Sequence, residues 1–145
     1  MKRSPERMKY QKDTRSSALC LLGIAFNVYY FISVFRNDAV VPDVFMGVDV
    51  LTNIIFMMLA FLVSEKLKVY AKGWNGLALM LGLAELARIF VLPEHYRRLG
   101  MMTGTLYWGA VVSLGLAGLS LILAYLNSTE NGRLLKIQAK TAEGD

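Results

Sequence analysis

The sequence predicts an all-α membrane protein: a four-transmembrane-helix bundle with up-down topology and both termini on the cytoplasmic side. Three observations carry that expectation. Four apolar runs, at 17–35, 41–63, 75–92 and 102–126, are each near the roughly 20 residues a helix needs to cross about 30 Å of hydrocarbon. A hydrophobic fraction of 55% and a mean hydropathy of +0.43 are high for a soluble domain of 145 residues. The basic residues also alternate between the ends of the runs, as the positive-inside rule expects.

The first run, "ALCLLGIAFNVYYFISVF", is longer than the apolar core of a typical signal peptide, and no small-x-small cleavage pattern follows it. It reads as a retained helix. Helices of a soluble bundle show a polar face at the 3.6-residue period, whereas this one offers only Asn27 and small hydroxyl residues. Pro42 suits the first turn of the second span, where its missing N–H has no intrahelical partner. Pro93 is read as the stop of the third span and Asn127 as the stop of the fourth. Trp74, Tyr70, Tyr96 and Tyr125 fall near expected interfaces, where aromatic belts form. The domain plan is then a basic cytoplasmic N-terminal segment (1–16), the transmembrane domain (17–126) and a polar cytoplasmic tail (127–145).

The charges set the orientation. Lys2, Arg3, Arg7, Lys9, Lys12, Arg15, Lys66, Lys68, Lys72, Arg133, Lys136 and Lys140 fall on one side, and Arg36, Arg97 and Arg98 on the other. The expected location is a bacterial-type plasma membrane with both ends inside. Net charge +5 and a pI near 9.4 call for no nucleic-acid partner, because a basic segment ahead of a span is explained by anionic lipid, at about 1 kcal/mol per basic residue near the surface. Aromatic interleaving and DNA-reading motifs are missing from it. A single cysteine, Cys20, and a single histidine, His95, supply neither a CxxC pair nor paired axial ligands, so no cofactor and no metal site is expected.

The spans carry an unexpected load. "LMLGLAELARIFVLP" places Glu85 and Arg88 three residues apart inside the third run. At 1.5 Å per residue, Asn27, Asp49, Asn53, Glu85, Arg88 and Tyr107 all lie within roughly 15 Å of the outer ends of their spans. Asp49 with Asn53 and Glu85 with Arg88 each share a helix face. A carboxylate at the helix centre costs roughly 2.5–3.5 kcal/mol on insertion scales, a cost that falls if the groups face one another. The expectation is a polar layer pointing into the bundle or an outward-opening vestibule, the inner halves of the spans being nearly all apolar. The layer serves either to orient helices, with a Glu85–Arg88 ion pair and Asp49 bonded to Asn27 or Tyr107, or as a site for a small polar or cationic ligand or a proton. His95, Arg97 and Arg98 in "LPEHYRRLG" are candidates for its rim or for a solvated turn.

Small residues at four-residue spacing, Ala78 with Gly82 and Gly109, Ser113 and Ala117, mark packing faces of the third and fourth spans. The sequence favours the first of three function classes, with the second and third as alternatives. They are an accessory or structural subunit of a larger membrane complex, a homo-oligomeric small transporter or channel using the polar layer, and a membrane enzyme acting on a lipophilic substrate with Asp49, Glu85, His95 or Tyr107 as acid and base. The expected partners are membrane lipids and either a membrane-protein partner or further copies of the chain.

Overall fold

A computed structural model describes residues 13–36, 44–69, 71 and 73–144. The basic segment before Asp13, together with Pro42, Tyr70 and Lys72, lies outside the described residues. Those residues form helices α1 (Thr14–Phe35), α2 (Val44–Lys68), α3 (Trp74–Arg98) and α4 (Gly104–Glu143). Each is long and apolar enough to cross a membrane, which is compatible with a small integral membrane protein.

Local chemistry sets the helix ends. Asp13 caps α1: its Oδ1 accepts from Ser16 N–H at 3.0 Å and its Oδ2 from the Ser16 hydroxyl at 2.6 Å. Pro93 does not stop the third helix, which runs through it to Arg98. The missing proline N–H costs one bond near the end of the helix, and packed neighbours make that tolerable in membrane helices. The actual stop is Gly100. With φ 72° it takes the left-handed conformation that glycine adopts without strain. Gly100 N–H then donates to Arg97 O at 3.0 Å and Met101 N–H to Tyr96 O at 3.0 Å, the paired bonds of a Schellman motif. "LPEHYRRLG" is therefore the last turns of a helix rather than a turn.

Asn127 does not stop α4 either. Beyond it, "STENGRLLKIQAKTAE" is rich in good helix formers, and the helix continues to Glu143 with side chains largely exposed after Ser128. Forty residues make α4 about 60 Å long, twice the hydrocarbon thickness.

The helices pack most extensively as α1 on α4 and α3 on α4; α1 on α2 is next, and the α2–α3 seam is the loosest of these four. Apolar side chains cover the outside, among them Leu22, Met58, Phe61, Leu83, Phe90 and Leu123, an arrangement suited to a hydrocarbon solvent. The interior is divided into two apolar clusters. Cys20, Ala60, Val63, Leu67, Ala78, Leu81, Leu121 and Ala124 form one. Tyr30, Val34, Leu92, Tyr96, Met102, Ala110 and Leu114 form the other. Buried Asn27 on α1 and Glu85 and Arg88 on α3 fall between them in sequence, and buried Asn53 on α2 lies between Ala60 of the first and Phe45, which packs against the second.

The half of the bundle expected to be apolar carries a second polar cluster. Asp13 N–H donates to Lys68 O at 3.0 Å, and the Ser17 and Ser64 hydroxyls are 2.6 Å apart. Asn127 Nδ2 reaches the Ser16 hydroxyl at 2.8 Å, and Asn75 Nδ2 reaches the Thr129 hydroxyl at 3.2 Å. These contacts join the start of α1 to the end of α2 and to α4, and the start of α3 to α4. Serine is small enough for an apolar span to absorb, so such a cluster leaves little trace in hydropathy.

Candidate functional site: a buried charged centre beside a lateral cleft

Arg88 is the hub of the polar layer. It projects from the middle of α3, is 8% exposed, and reaches three helices. Its Nη1 donates to Glu85 Oε2 at 2.9 Å and Oε1 at 3.0 Å, and to Asn27 Oδ1 on α1 at 3.2 Å. Its Nη2 donates to Asn53 Oδ1 on α2 at 3.0 Å and approaches Asp49 Oδ1 at 3.5 Å. Glu85 sits one helical turn before Arg88 and is fully buried, so the i,i+3 spacing alone brings this pair together. Asn53 Nδ2 in turn donates to the Asn27 carbonyl at 3.3 Å, tying α1 to α2.

Asp49 completes the centre. Its Oδ2 accepts from the Tyr30 hydroxyl at 3.0 Å and from the Tyr96 hydroxyl at 2.9 Å. Among the described residues its Oδ1 has only the long contact to Arg88. The Arg88 guanidinium lies 5.1 Å from the Phe56 ring centre and 5.4 Å from that of Tyr30, within cation–π range.

Asn27, Asp49, Asn53, Glu85 and Arg88 thus meet in one cluster. Tyr107 does not join it: its ring packs on Trp108 at 5.3 Å and under the Arg97 guanidinium at 5.9 Å. Asp49 is bonded to Tyr30 and Tyr96 in place of Asn27 or Tyr107. Tyr96, expected at an interface, is 1% exposed. Sequence reasoning missed both tyrosines because a tyrosine near the end of a span suits the aromatic belt equally well. The available signal was spacing: Tyr30 follows Asn27 by three residues and Tyr96 follows Arg88 by eight, both on shared helix faces.

His95, Arg97 and Arg98 lie at the end of α3. Glu94 accepts from Arg97 at 2.6 and 2.7 Å and from Arg98 at 3.1 Å, so these arginines pair on the surface of α3. The His95 ring stacks on Phe45 at 3.7 Å. Ala78, Gly82, Ser113 and Ala117 are buried at helix contacts. A Cβ on Gly109 would meet nothing within 4 Å, whereas Gly118, absent from the expected stripe, lies against Gly82.

The opening beside the centre is lateral. A cleft of about 430 Å³ lies between α2 and α3, walled by Phe45, Val48, Phe56, Ala84, Val91 and Leu92, with Asp49 and Arg88 among its lining residues. This volume falls in the range of small-molecule sites. No group of three or more His, Cys, Asp or Glu side chains suited to a metal occurs among the described residues. No protein-family model matches the chain, and neither a curated protein nor a solved structure does.

The two tyrosine bonds are open to a direct test. Each joins a buried hydroxyl to a buried carboxylate, and a hydrogen bond to a charged group is worth about 1.5–3 kcal/mol. Tyr30→Phe and Tyr96→Phe should each lower unfolding stability in detergent by that amount. The double variant should lose more than the sum, because it strips the same buried oxygen of both donors. Unchanged thermal midpoints for both single variants would mean that the hydroxyls do not hold Asp49.

Proposed function

We propose that this chain is a small integral membrane protein of the transporter or carrier class, which binds its ligand at the Asp49–Glu85–Arg88 centre in exchange for a proton. In this reading the helices cross the bilayer up and down with both termini cytoplasmic, consistent with the excess of basic residues at that face.

One observation carries the reading. Two carboxylates and one guanidinium are buried together inside four apolar helices. Between Arg15 and Arg36 α1 has no charged residue, and neither has α4 between Gly104 and Thr129, so neither helix offsets the surplus negative charge from within the bilayer. Charge in a low-dielectric interior is expensive unless compensated, so neutrality there requires one further proton or cation. A group that must be neutral and can be neutralised in two ways is a binding site with a built-in counter-ligand.

The test is infrared difference spectroscopy of the purified protein between acid and alkaline buffer. A protonated-carboxyl band is expected, lost in Asp49→Asn or in Glu85→Gln. Absence of that band, or its persistence in both variants, would overturn the proton-exchanging centre. The accessory-subunit reading has its own support in the largely exposed final turns of α4, which extend past the packed bundle. Extraction from the native host in mild detergent, followed by intact-mass measurement, separates the two. A single chain or a homo-oligomer fits the carrier, and a larger protein at fixed stoichiometry fits the subunit.

A further inference from the structure

The α2–α3 cleft and the charged centre have complementary deficits. The cleft walls are almost wholly apolar, and it sits in the loosest of the bundle's four main seams. Its lining combines the apolar Phe56, Val48 and Val91 with Asp49 and Arg88 of the centre. Two valences at the centre are unmet. Arg88 Nε–H is buried without an acceptor, although buried donors are nearly always satisfied. Among the described residues Asp49 Oδ1 holds only the 3.5 Å contact to Arg88, leaving most of its capacity as an acceptor unused there. With the surplus negative charge, the missing complement is a positively charged donor next to a neutral oxygen acceptor, borne on an apolar body.

We propose that the cleft takes up, laterally from the bilayer, an amphiphilic amino alcohol: an aliphatic chain whose head carries an ammonium group and a hydroxyl on the neighbouring carbon. The ammonium donates to Asp49 Oδ1 beside the Phe56 ring, and the hydroxyl oxygen accepts from Arg88 Nε. The tail lies along Val48, Val91 and Leu92. An anionic amphiphile would supply the acceptor but double the surplus charge, and a neutral alcohol would leave that charge unmatched. The exchange balances: one ammonium enters, the carboxyl O–H bond breaks and its proton leaves to solvent, no other covalent bond changes and the net charge of the site is constant. The ionisable groups facing the head are Tyr30 of α1, Asp49 of α2, and Glu85, Arg88 and Tyr96 of α3; α4 presents no charged side chain there.

This inference rests on the proton-exchanging centre proposed above, and the test separates the two. Isothermal titration calorimetry of the purified chain in dodecyl maltoside uses 2-amino-1-octanol, 1-octanol and octanoate as probes, in two buffers of different ionisation enthalpy. Saturable binding of the amino alcohol is expected, with release of about one proton and affinity rising about tenfold per pH unit while the centre is protonated. The alcohol and the carboxylate should show only non-saturable partitioning. Ala84→Phe fills the cleft without touching the charges and should abolish binding while keeping the infrared carboxyl band. Equal binding of the alcohol, saturable binding of octanoate, or binding that survives Ala84→Phe would overturn the proposal. Absence of amino-alcohol binding with the carboxyl band intact would overturn this inference and leave the proton-exchanging centre standing. Absence of the band as well would remove both.

Discussion

Arg88→Leu is expected to cost most of the folded protein. The substitution removes every donor that Glu85 has from Arg88, together with the bonds to Asn27 and Asn53 and the cation paired with Asp49. Two carboxylates remain in an interior where Glu85 is fully buried and Asp49 is 5% exposed. Removing one partner of a buried ion pair typically costs about 3–5 kcal/mol, because the other charge is left uncompensated. That is comparable to the whole stability of many small folds. The expected readout is a collapse of the monodisperse fraction after detergent extraction and a much lower midpoint in a thermal scan. The physical cause is checked by Asp49→Asn/Glu85→Gln/Arg88→Gln, which keeps the shapes and discards the charges; it should recover most of the loss. A wild-type midpoint for Arg88→Leu would show that the guanidinium does not compensate the two carboxylates.

Gly118→Leu is expected to force α3 and α4 apart. A Cβ at Gly118 would lie 2.9 Å from the Gly82 carbonyl oxygen and 2.9 Å from Leu86 Cγ. A Cβ at Gly82 would reciprocally meet the Gly118 carbonyl oxygen at 2.9 Å and Ile122 Cγ1 at 2.8 Å. Backbone carbonyls cannot rotate away as side chains do, so one whole helix must move. Overpacking usually costs about 1–3 kcal/mol, and here the cost should lie at or above the top of that range. Because Glu85 follows Gly82 by less than one turn, displacement of α3 also misplaces the charged centre. A weaker protonated-carboxyl band should therefore accompany the lower thermal midpoint. Gly109→Ala is the control: with open space around it, the exchange should be neutral or stabilising by about 0.5–1 kcal/mol through backbone entropy. Equal effects at Gly109 and Gly118 would remove the close approach as the explanation.

Four-residue spacing selected Gly109, Ser113 and Ala117 as a stripe, yet Gly118 is the residue whose backbone lies against Gly82 of α3. A Cβ at Gly23 of α1 would instead lie 3.4 Å from the Ala117 carbonyl oxygen. Adjacent positions on α4 thus serve different neighbours. A helix that is apolar all round gives no period from which its orientation can be read.

By itself, the sequence determined the four membrane-length helices of the described residues, their apolar character and the places of Asn27, Asp49, Asn53, Glu85 and Arg88 along them. These follow from composition and from the fixed rise of a helix. It also determined the Glu85–Arg88 pairing, because an i,i+3 contact is local. Only the tertiary structure decided the rest. It set Tyr30 and Tyr96 on Asp49, assigned Gly118 to α3, carried α3 through Pro93 and α4 through Asn127, and opened the cleft sideways between α2 and α3. Each of these depends on which helices are neighbours and how each is rotated. In apolar spans those choices are made by close packing and a few buried polar bonds, neither of which leaves a periodic mark in the chain.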